Sequence, residues 1–372
     1  MKKIAIVTYF RDNFGSILQA YSTIKFLEEN GYEAVLINRI NKISKIRKLK
    51  NLFLNVFRSV RYKGYLDKKI KQKKERKFVL NTLSSKTKLL MDKFVEKEFK
   101  IVNFENRDLN AIEKDYEKCI VGSDQVWNIS SYFDDYYFLN FIEKEKKIAL
   151  SPSFGTRTIP KYYLKSLKNS INSFPRLSVR EETGVELVRK LTGREAIRLP
   201  DPTIILDKHE WNTFSIDGLK RENYILLHFL GVPSDIAIKT INNYLHMNDC
   251  DAYCIVNNYI EFDKLERYCF IDINPVDYVS LINNANFVFT DSFHSTLFSI
   301  NMQTDFITFE RQLKHGQSQS SRITDLLTRY SLNERFFDKE KSVKNLPSID
   351  NRVLNEERQK IRNYLLSELS RK

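Results

Sequence analysis

The stretch "KKIAIVTYFRDNFGSILQAYSTIKFLEENGYEAVLIN", residues 2–38, decides the fold class. It opens with an apolar run typical of a buried strand, and "RDNFG" at 11–15 predicts a turn. The apolar residues of the next segment recur at helical spacing: Ile17, Ala20, Tyr21, Ile24 and Leu27. Gly31 then ends the helix, and "EAVLIN" reads as a second strand. A strand, a helix and a strand at this spacing form a βαβ unit, which requires a parallel sheet.

The same alternation of elements continues along the chain. Apolar strand patterns occur at "EKCIVG", "KKIALSPSFG" and "RLSVR", and a second set runs from "NYILLHFLG" to "NFVFTDS". We therefore predict an α/β protein with two domains in series and a ligand site in the cleft between them. The predicted limits are 1–205, with a basic helical insertion at 41–100, then 206–345, and a C-terminal helix at 346–372 that packs back on the first domain.

The net charge of +14 is concentrated in one segment. Residues 41–77 carry fifteen Lys or Arg, against Asp67 and Glu75. Apolar residues recur through it at helical spacing: Ile43, Ile46, Leu49, Phe53, Val56, Phe57 and Val60. The pattern predicts a basic amphipathic helix, suited to an anionic membrane surface unless the apolar stripe packs on its own domain. Because no aromatic residues interleave with the charges in a sheet motif, we expect no nucleic-acid partner.

Several function classes lose support from missing motifs. The chain contains no GxGxxG, GxxxxGK[ST], HExxH or GxSxG pattern, so dinucleotide, P-loop, zincin and hydrolase sites are not indicated. The four cysteines show neither zinc-ligand nor CxxC spacing, and we expect them to be reduced. No membrane span or signal peptide is evident. We expect a cytoplasmic protein with no metal and no cofactor.

The first candidate site lies in "NFVFTDSFHSTLF", residues 286–298. The predicted strand ends near Thr290, Ser292 can cap the following helix, and His294 falls in its first turn. Free N–H groups and the helix dipole make such an end an anion site, to which the hydroxyls of Ser292 and Ser295 add donors. Asp291 would orient His294 or cap the helix. The alternative is a histidine that only caps or packs.

A second candidate group follows another predicted strand. In "CIVGSDQVWN", residues 119–128, Ser123, Asp124, Gln125 and Trp127 combine hydroxyl, carboxylate, amide and indole groups, as a sugar-binding surface requires. The alternative is an Asp-containing turn beside a buried Trp.

Two arginines are candidates for binding an anion. In "LSVREETG", Arg180 at a strand end can hold a carboxylate or phosphate, or can pair with Glu181 or Glu182. Arg322, at the start of the helix in "SQSSRITDLL", faces either an anion or solvent.

Seven motifs occur in an order that resembles the polysaccharide pyruvyl transferase family, over about residues 4–335: "NFGSILQAYS", "IVGSDQVWN", "SFGT", "LSVREETG", "LPDPTIILD", "TDSFHSTLFS" and "SSRITDLL". The resemblance implies two facing Rossmann-like domains in a GT-B-like architecture. It also implies transfer of pyruvate from phosphoenolpyruvate to a sugar of a cell-surface polysaccharide, or of its lipid-linked precursor, as a ketal. One position departs from the family pattern: Ser295 stands where a glycine usually follows the histidine.

The resemblance also suggests roles for the candidate residues. His294 would act in acid–base catalysis or contact the phosphate, and Asp124 would accept a hydroxyl proton. The expected substrate-binding residues are Asn13, Gly15, Gln19, Ser123, Gln125, Trp127, Arg180, Ser292, Ser295 and Arg322. Residues 41–77 would hold the enzyme on the inner face of the membrane near its acceptor. The alternative function is that of a GT-B-type glycosyltransferase with a nucleotide-sugar donor.

Overall fold

Two parallel sheets organise the chain in the computed structural model. The model describes residues 1–40, 53, 55–62, 64–80, 83–129, 133–213, 222–255, 264–265, 267–312, 321–339 and 343–371. The first sheet has the order β3-β2-β1-β4-β5, and all four of its pairings are parallel. Its strands are β1 (Lys2–Val7), β2 (Tyr32–Ile40), β3 (Ile101–Glu105), β4 (Lys118–Val121) and β5 (Lys147–Ala149).

The second sheet repeats this arrangement with one strand more. Its order is β10-β9-β8-β11-β12-β13, again parallel throughout. Its strands are β8 (Tyr224–His228), β9 (Asp251–Cys254), β10 (Cys269–Phe270), β11 (Phe287–Thr290), β12 (Phe306–Phe309) and β13 (Phe336–Phe337). Strands β6 (Ser178–Val179) and β7 (Ile197–Arg198) form a separate parallel pair. Both large sheets thus have the Rossmann strand order, and the predicted fold class is confirmed.

Helices connect the strands, as parallel pairing requires. They are α1 (Phe14–Glu29), α2 (Tyr65–Leu80), α3 (Ser85–Glu98), α4 (Ile112–Asp115), α5 (Leu164–Asn172), α6 (Glu182–Thr192), α7 (Lys208–Thr213), α8 (Asp235–Met247), α9 (Pro275–Asn284), α10 (Phe293–Met302), α11 (Ser321–Arg329) and α12 (Asn351–Ser370). In the part of the chain that the structure describes, no helix is long and apolar enough to cross a membrane. The predicted apolar positions Ile43, Ile46 and Leu49 lie outside the described residues.

Each sheet is covered on both faces, which explains why the strands read as continuous apolar runs. In β1, Ile4 and Ile6 face the core that lies between the two sheets, whereas Ala5 and Val7 face an outer core. The second sheet has the same alternation, with its own outer core. The middle core is therefore shared by both halves of the protein, and Phe14 of α1 stacks on Tyr278 of α9 with ring centroids 4.9 Å apart.

Helix α12 contacts the first half of the chain. Arg358 Nε donates to the Ile204 carbonyl at 2.9 Å, and Tyr364 Oη donates to the Ala149 carbonyl at 3.0 Å. Leu365 is fully buried in the middle core. The last helix thus ties the two halves together. The domain limits at 205 and 345 stay predictions.

Truncating Leu365 should destabilise the protein far more than truncating its neighbour. Leu365→Ala should lower the free energy of unfolding by about 2–5 kcal/mol, because it leaves a cavity in the middle core. Leu366 is 38% exposed, so Leu366→Ala should change it by less than about 0.5 kcal/mol. Urea denaturation of both variants tests this. Equal shifts of the two midpoints would contradict the assigned packing of α12.

Candidate functional site

The N-termini of two helices, one from each half, meet at the carboxyl edges of the two sheets. Gly15 is the second residue of α1, and His294 is the second residue of α10. A Cβ atom on Gly15 would lie 2.0 Å from His294 Nδ1, so the imidazole fits there only because residue 15 has no side chain. Both helix ends contribute N–H groups and the positive end of a dipole, which favours a bound anion.

His294 lies beside a buried carboxylate that the sequence analysis did not select. Its Nε2 is 3.5 Å from Asp201 Oδ2, and this nitrogen is buried without a hydrogen-bond partner. Burial alone would raise the Asp201 pKa, but His294, the Arg180 guanidinium and the Thr203 N–H outweigh it, and the pKa is well below its usual range. Asp201 is therefore ionised. Asp201 lies in the motif "LPDPTIILD", and its place in this family-like motif could have identified it as a candidate.

Arg180 combines the two roles that the sequence left open. Its Nη1 donates to Asp201 at 2.7 Å and its Nε donates to Glu181 at 3.4 Å. Its Nη2 is buried and has no hydrogen-bond partner. The guanidinium carbon lies 4.4 Å from the centroid of the Phe293 ring. Arg180 is thus a structural ion-pair partner that still has one N–H group available for a ligand.

Arg322 lies over the same Phe293 ring, at 5.8 Å from its centroid. Burial, together with the nearby charges of Arg180 and Arg311, lowers its pKa to about 9. The amide oxygen of Gln125, in the orientation that satisfies both groups, accepts from Arg322 Nη1 at 2.9 Å and Nη2 at 3.2 Å. Arg322 therefore faces this site rather than solvent. Clustered cations at a buried position are stabilised by an added anion.

The Asp124 carboxylate is held in place by two hydrogen bonds. One oxygen accepts from Ser16 Oγ at 2.5 Å and the other from the Gln125 N–H at 2.7 Å. Its φ of 62° with ψ of −176° is a conformation that non-glycine residues rarely adopt. Asp124 is buried, yet its charge influences both Arg180 and Arg322. The structure therefore brings Asp124 close to the arginine cluster.

Ser295 has a specific role where the family pattern has glycine. Its Oγ lies 2.6 Å from His228 Nδ1 and 2.8 Å from Tyr278 Oη. His228 ends strand β8, and its Nε2 is buried without a partner. His228 was not among the residues predicted from the sequence, although a histidine at the end of an apolar strand could have indicated it. Burial and the charge of Arg311 lower its pKa to about 3, so it is neutral.

Arg311 is a second residue that sequence analysis missed. It follows β12, its Nη2 donates to the Asp291 carbonyl at 2.9 Å, and its Nε is buried without a hydrogen bond, 3.6 Å from the Asp291 carboxylate. The prediction for Asp291 was wrong. Its carboxylate accepts from the N–H groups of Leu230 and Gly231, both at 2.7 Å, so it holds the loop after β8. Ser292 caps α10 as predicted, accepting from the Ser295 N–H.

Two of the predicted substrate-binding side chains are fully buried and bonded within the protein. Trp127 is 0% exposed, donates to the Tyr137 carbonyl at 2.9 Å and stacks on Phe138, so its ring packs in the outer core of the first sheet. Gln19 is also 0% exposed. Its amide donates to Thr8 Oγ1 and accepts from the Ser123 N–H, joining the ends of β1 and β4.

Ser123 and Asn13 also have their polar atoms bound by the protein. Ser123 is 0% exposed, and its Oγ donates to the Ser151 carbonyl at 2.7 Å. Ser295 is equally buried, and contact of either serine with substrate stays a prediction. Asn13 is the half-buried N-cap of α1, with its Oδ1 accepting from the Ser16 N–H at 3.3 Å.

A cavity of about 300 Å³ adjoins these groups. Its wall includes Arg180, Asp201, Phe293, Arg322 and Tyr330. Within the described ranges, no group of three or more His, Cys, Asp or Glu residues is arranged to bind a metal ion. The arginines on its wall suit the cavity to an anionic ligand.

The depressed pKa of His228 should make stability depend on pH. The imidazole is neutral in the folded protein but gains a proton near pH 6.5 when unfolded, so acidification favours the unfolded state. Between about pH 6.5 and 5 this effect should lower the free energy of unfolding by about 1.5 kcal/mol. Urea titrations of wild type and His228→Gln test this, and parallel pH curves for the two proteins would contradict it.

Comparison with known proteins places the chain in a family and a fold. The sequence model of the polysaccharide pyruvyl transferase family matches residues 13–312. No curated protein matches the chain in sequence. The UDP-GlcNAc 2-epimerase from Neisseria meningitidis bound to UDP-GlcNAc is similar in structure, with a TM-score of 0.50 and 9% identity, covering 99% of this chain and 100% of that one.

A second similar structure is the UDP-GlcNAc 2-epimerase from Methanocaldococcus jannaschii, with a TM-score of 0.48 and 13% identity, covering 98% of this chain and 100% of that one. The two sheets have the GT-B arrangement of such enzymes. Since the family match spans most of the chain and includes Asp124, Arg180, Asp201 and His294, the protein belongs to the polysaccharide pyruvyl transferase family and is a transferase of that kind.

Proposed function

We propose that this protein transfers pyruvate from phosphoenolpyruvate to a sugar and forms a pyruvyl ketal. The observation that carries the proposal is a pair of buried nitrogens without hydrogen-bond partners, Arg180 Nη2 and His294 Nε2, in family motifs. Buried N–H groups without partners are costly and therefore indicate a ligand. Phosphoenolpyruvate carries a phosphate and a carboxylate, and both groups accept hydrogen bonds from guanidinium and imidazole.

The cations of the site suit a ligand with two anionic groups. Arg180 and Arg311 lie close enough to Arg322 that, after burial, their charges contribute to lowering its pKa. Arg180 is already paired with Asp201, and Arg311 contacts Asp291, whereas Arg322 contacts the neutral amide of Gln125. An anionic donor would stabilise these clustered cations.

The reaction balances with two hydroxyl protons and no redox step. The methylene carbon of phosphoenolpyruvate gains a proton and becomes the methyl group. Two sugar oxygens form bonds to C2, and the bond between C2 and the phosphate oxygen breaks. One of the two hydroxyl protons compensates for the proton that the acid delivers to the methylene carbon. The other leaves with phosphate. The site must therefore supply one acid, one base and stabilisation of charge at C2.

We assign the acid to His294 and the base to Asp124. The Asp201 carboxylate lies 3.5 Å from His294 Nε2 and faces the imidazole. Asp124 lies on the opposite half, at the end of β4, where Ser16 and the Gln125 N–H fix its orientation. An acid on one half and a base on the other suit a ligand bound between them. Gly15 supports this arrangement because it allows the imidazole to approach α1.

We propose as acceptor a sugar of a cell-surface polysaccharide or its lipid-linked precursor, modified at the cytoplasmic face of the membrane. The family match supports a polysaccharide acceptor. The similar UDP-GlcNAc 2-epimerase structure has only 9% identity and supports the fold alone. The alternative is a nucleotide-sugar donor, and the tests below distinguish it from phosphoenolpyruvate.

Removing His294 should abolish acceptor-dependent phosphate release from phosphoenolpyruvate. His294→Gln should slow the reaction by at least about 10²-fold, because the amide cannot deliver a proton. His209, an exposed histidine, provides the matched control His209→Gln, which should behave like wild type. The measurement is phosphate release with a panel of oligosaccharide and lipid-linked acceptors. Calorimetric binding of UDP-GlcNAc without binding of phosphoenolpyruvate would instead support the nucleotide-sugar function.

Asp124→Asn should separate donor binding from turnover. Loss of the base should lower kcat by about 10²–10⁴-fold. The affinity for phosphoenolpyruvate should stay equal or increase, since one negative charge near the arginines is removed. Calorimetry and steady-state rates on the same preparation test this. A variant that loses phosphoenolpyruvate binding but turns over normally at saturation would contradict the assignment.

A further inference from the structure

The helical segment at residues 53 and 55–61 has its apolar face on the outside. Phe53, Val56, Phe57 and Val60 follow the spacing i, i+3, i+4, i+7 and so lie on one face. They are 71%, 55%, 59% and 84% exposed, respectively. For these described residues, the alternative that the apolar stripe packs on its own domain is therefore wrong.

The opposite, polar face of this segment anchors it to the protein. Arg58 Nη1 donates to Tyr163 Oη at 3.1 Å, and its guanidinium lies 5.1 Å from the Tyr162 ring centroid. Tyr62 packs on Tyr162 at 4.9 Å. Asn55 Oδ1 accepts from both Tyr65 Oη and Lys69 Nζ of α2. The orientation is thus set by specific contacts that direct the apolar face away from the protein.

The neighbouring helix α2 extends this surface and adds positive charge. Leu66 and Ile70, one turn apart, are 47% and 52% exposed. Exposed basic side chains accompany the apolar ones: Arg61, Lys71, Lys73 and Lys74. Six of the fourteen exposed large hydrophobic residues in the described chain fall between 53 and 70. An apolar patch of this density on a soluble surface marks an interaction site.

We propose that this surface, formed by the exposed residues Phe53, Val56, Phe57, Val60, Leu66 and Ile70 with the basic side chains beside them, docks on an anionic lipid bilayer. Peripheral membrane proteins bind through apolar side chains that enter the membrane–water interface, flanked by Lys and Arg at the level of the lipid headgroups. Charge complementarity selects an anionic bilayer over a second copy of this chain, whose equivalent surface carries the same positive charge. The proposal goes beyond the transfer reaction, since it concerns a surface outside the site.

The surface lies within reach of the candidate site. A Cβ on Gly155 would contact the Gln125 amide, so Gly155 marks the site's edge. Tyr162, which anchors the docking surface, follows seven residues later. Seven residues span at most about 25 Å, so Tyr162 lies no further than that from this edge of the site.

The test is sedimentation of the full-length protein with phosphatidylcholine vesicles, with and without about 30 mol% phosphatidylglycerol. We expect at least about tenfold stronger binding to the anionic vesicles, weakening as salt is raised. Phe53→Ser/Phe57→Ser and Lys71→Gln/Lys74→Gln should each reduce this binding at least about tenfold. The control Met247→Ser/Phe270→Ser removes exposed apolar side chains of the second half and should bind like wild type.

Three outcomes would overturn the proposal. The first is equal binding to neutral and anionic vesicles, and the second is unchanged binding of Phe53→Ser/Phe57→Ser. The third is self-association in solution that this variant abolishes while no vesicle binding occurs, which would assign the surface to a second copy. Thermal unfolding verifies that the variants are folded. No phosphoenolpyruvate or acceptor is needed, so failure here is distinguishable from failure of the proposed activity.

Discussion

The Asp201 carboxylate is the interaction on which the site depends. One of its oxygens accepts from Arg180 and lies 3.5 Å from His294, while the other accepts from the Thr203 N–H. A fully buried carboxylate is costly unless it is paired and hydrogen-bonded on both oxygens, and here both conditions are met. The same charge orients an arginine of the first half and faces a histidine of the second. It thus links the stability of the fold to the geometry of the site.

A second constraint is the close approach of the two halves. The middle core is shared between both sheets, and the N-termini of α1 and α10 contact each other. Gly15 permits this contact, because any side chain would overlap the His294 ring. Arg180, Arg322 and Phe293 at the start of α10 line a cavity of about 300 Å³. Side chains and a helix N-terminus thus both contribute positive potential near this cavity.

The departure from the family at Ser295 is compensated locally. A glycine there would leave His228 Nδ1 and Tyr278 Oη 3.4 Å apart, whereas the serine hydroxyl bonds to both at shorter distances. The buried histidine is kept neutral, and its outer nitrogen stays unpaired. Polar groups that face one another in a low dielectric form a strong network when each has its partner. This position therefore retains a small side chain while gaining a defined hydrogen-bond network.

The sequence by itself determined the α/β class, the parallel sheets and the motifs that identify the family, since apolar periodicity and turn residues are local properties. It also singled out His294, Asp124, Arg180 and Arg322, because polar residues at strand ends converge at one sheet edge. Only the tertiary structure decided which of the other candidates are buried. Trp127 and Gln19 turned inward, whereas His228, Arg311 and Asp201 joined the site from other segments. Burial and pairing depend on contacts between separate segments, such as Gln19 with Ser123 and Asp201 with His294, and no local pattern encodes them.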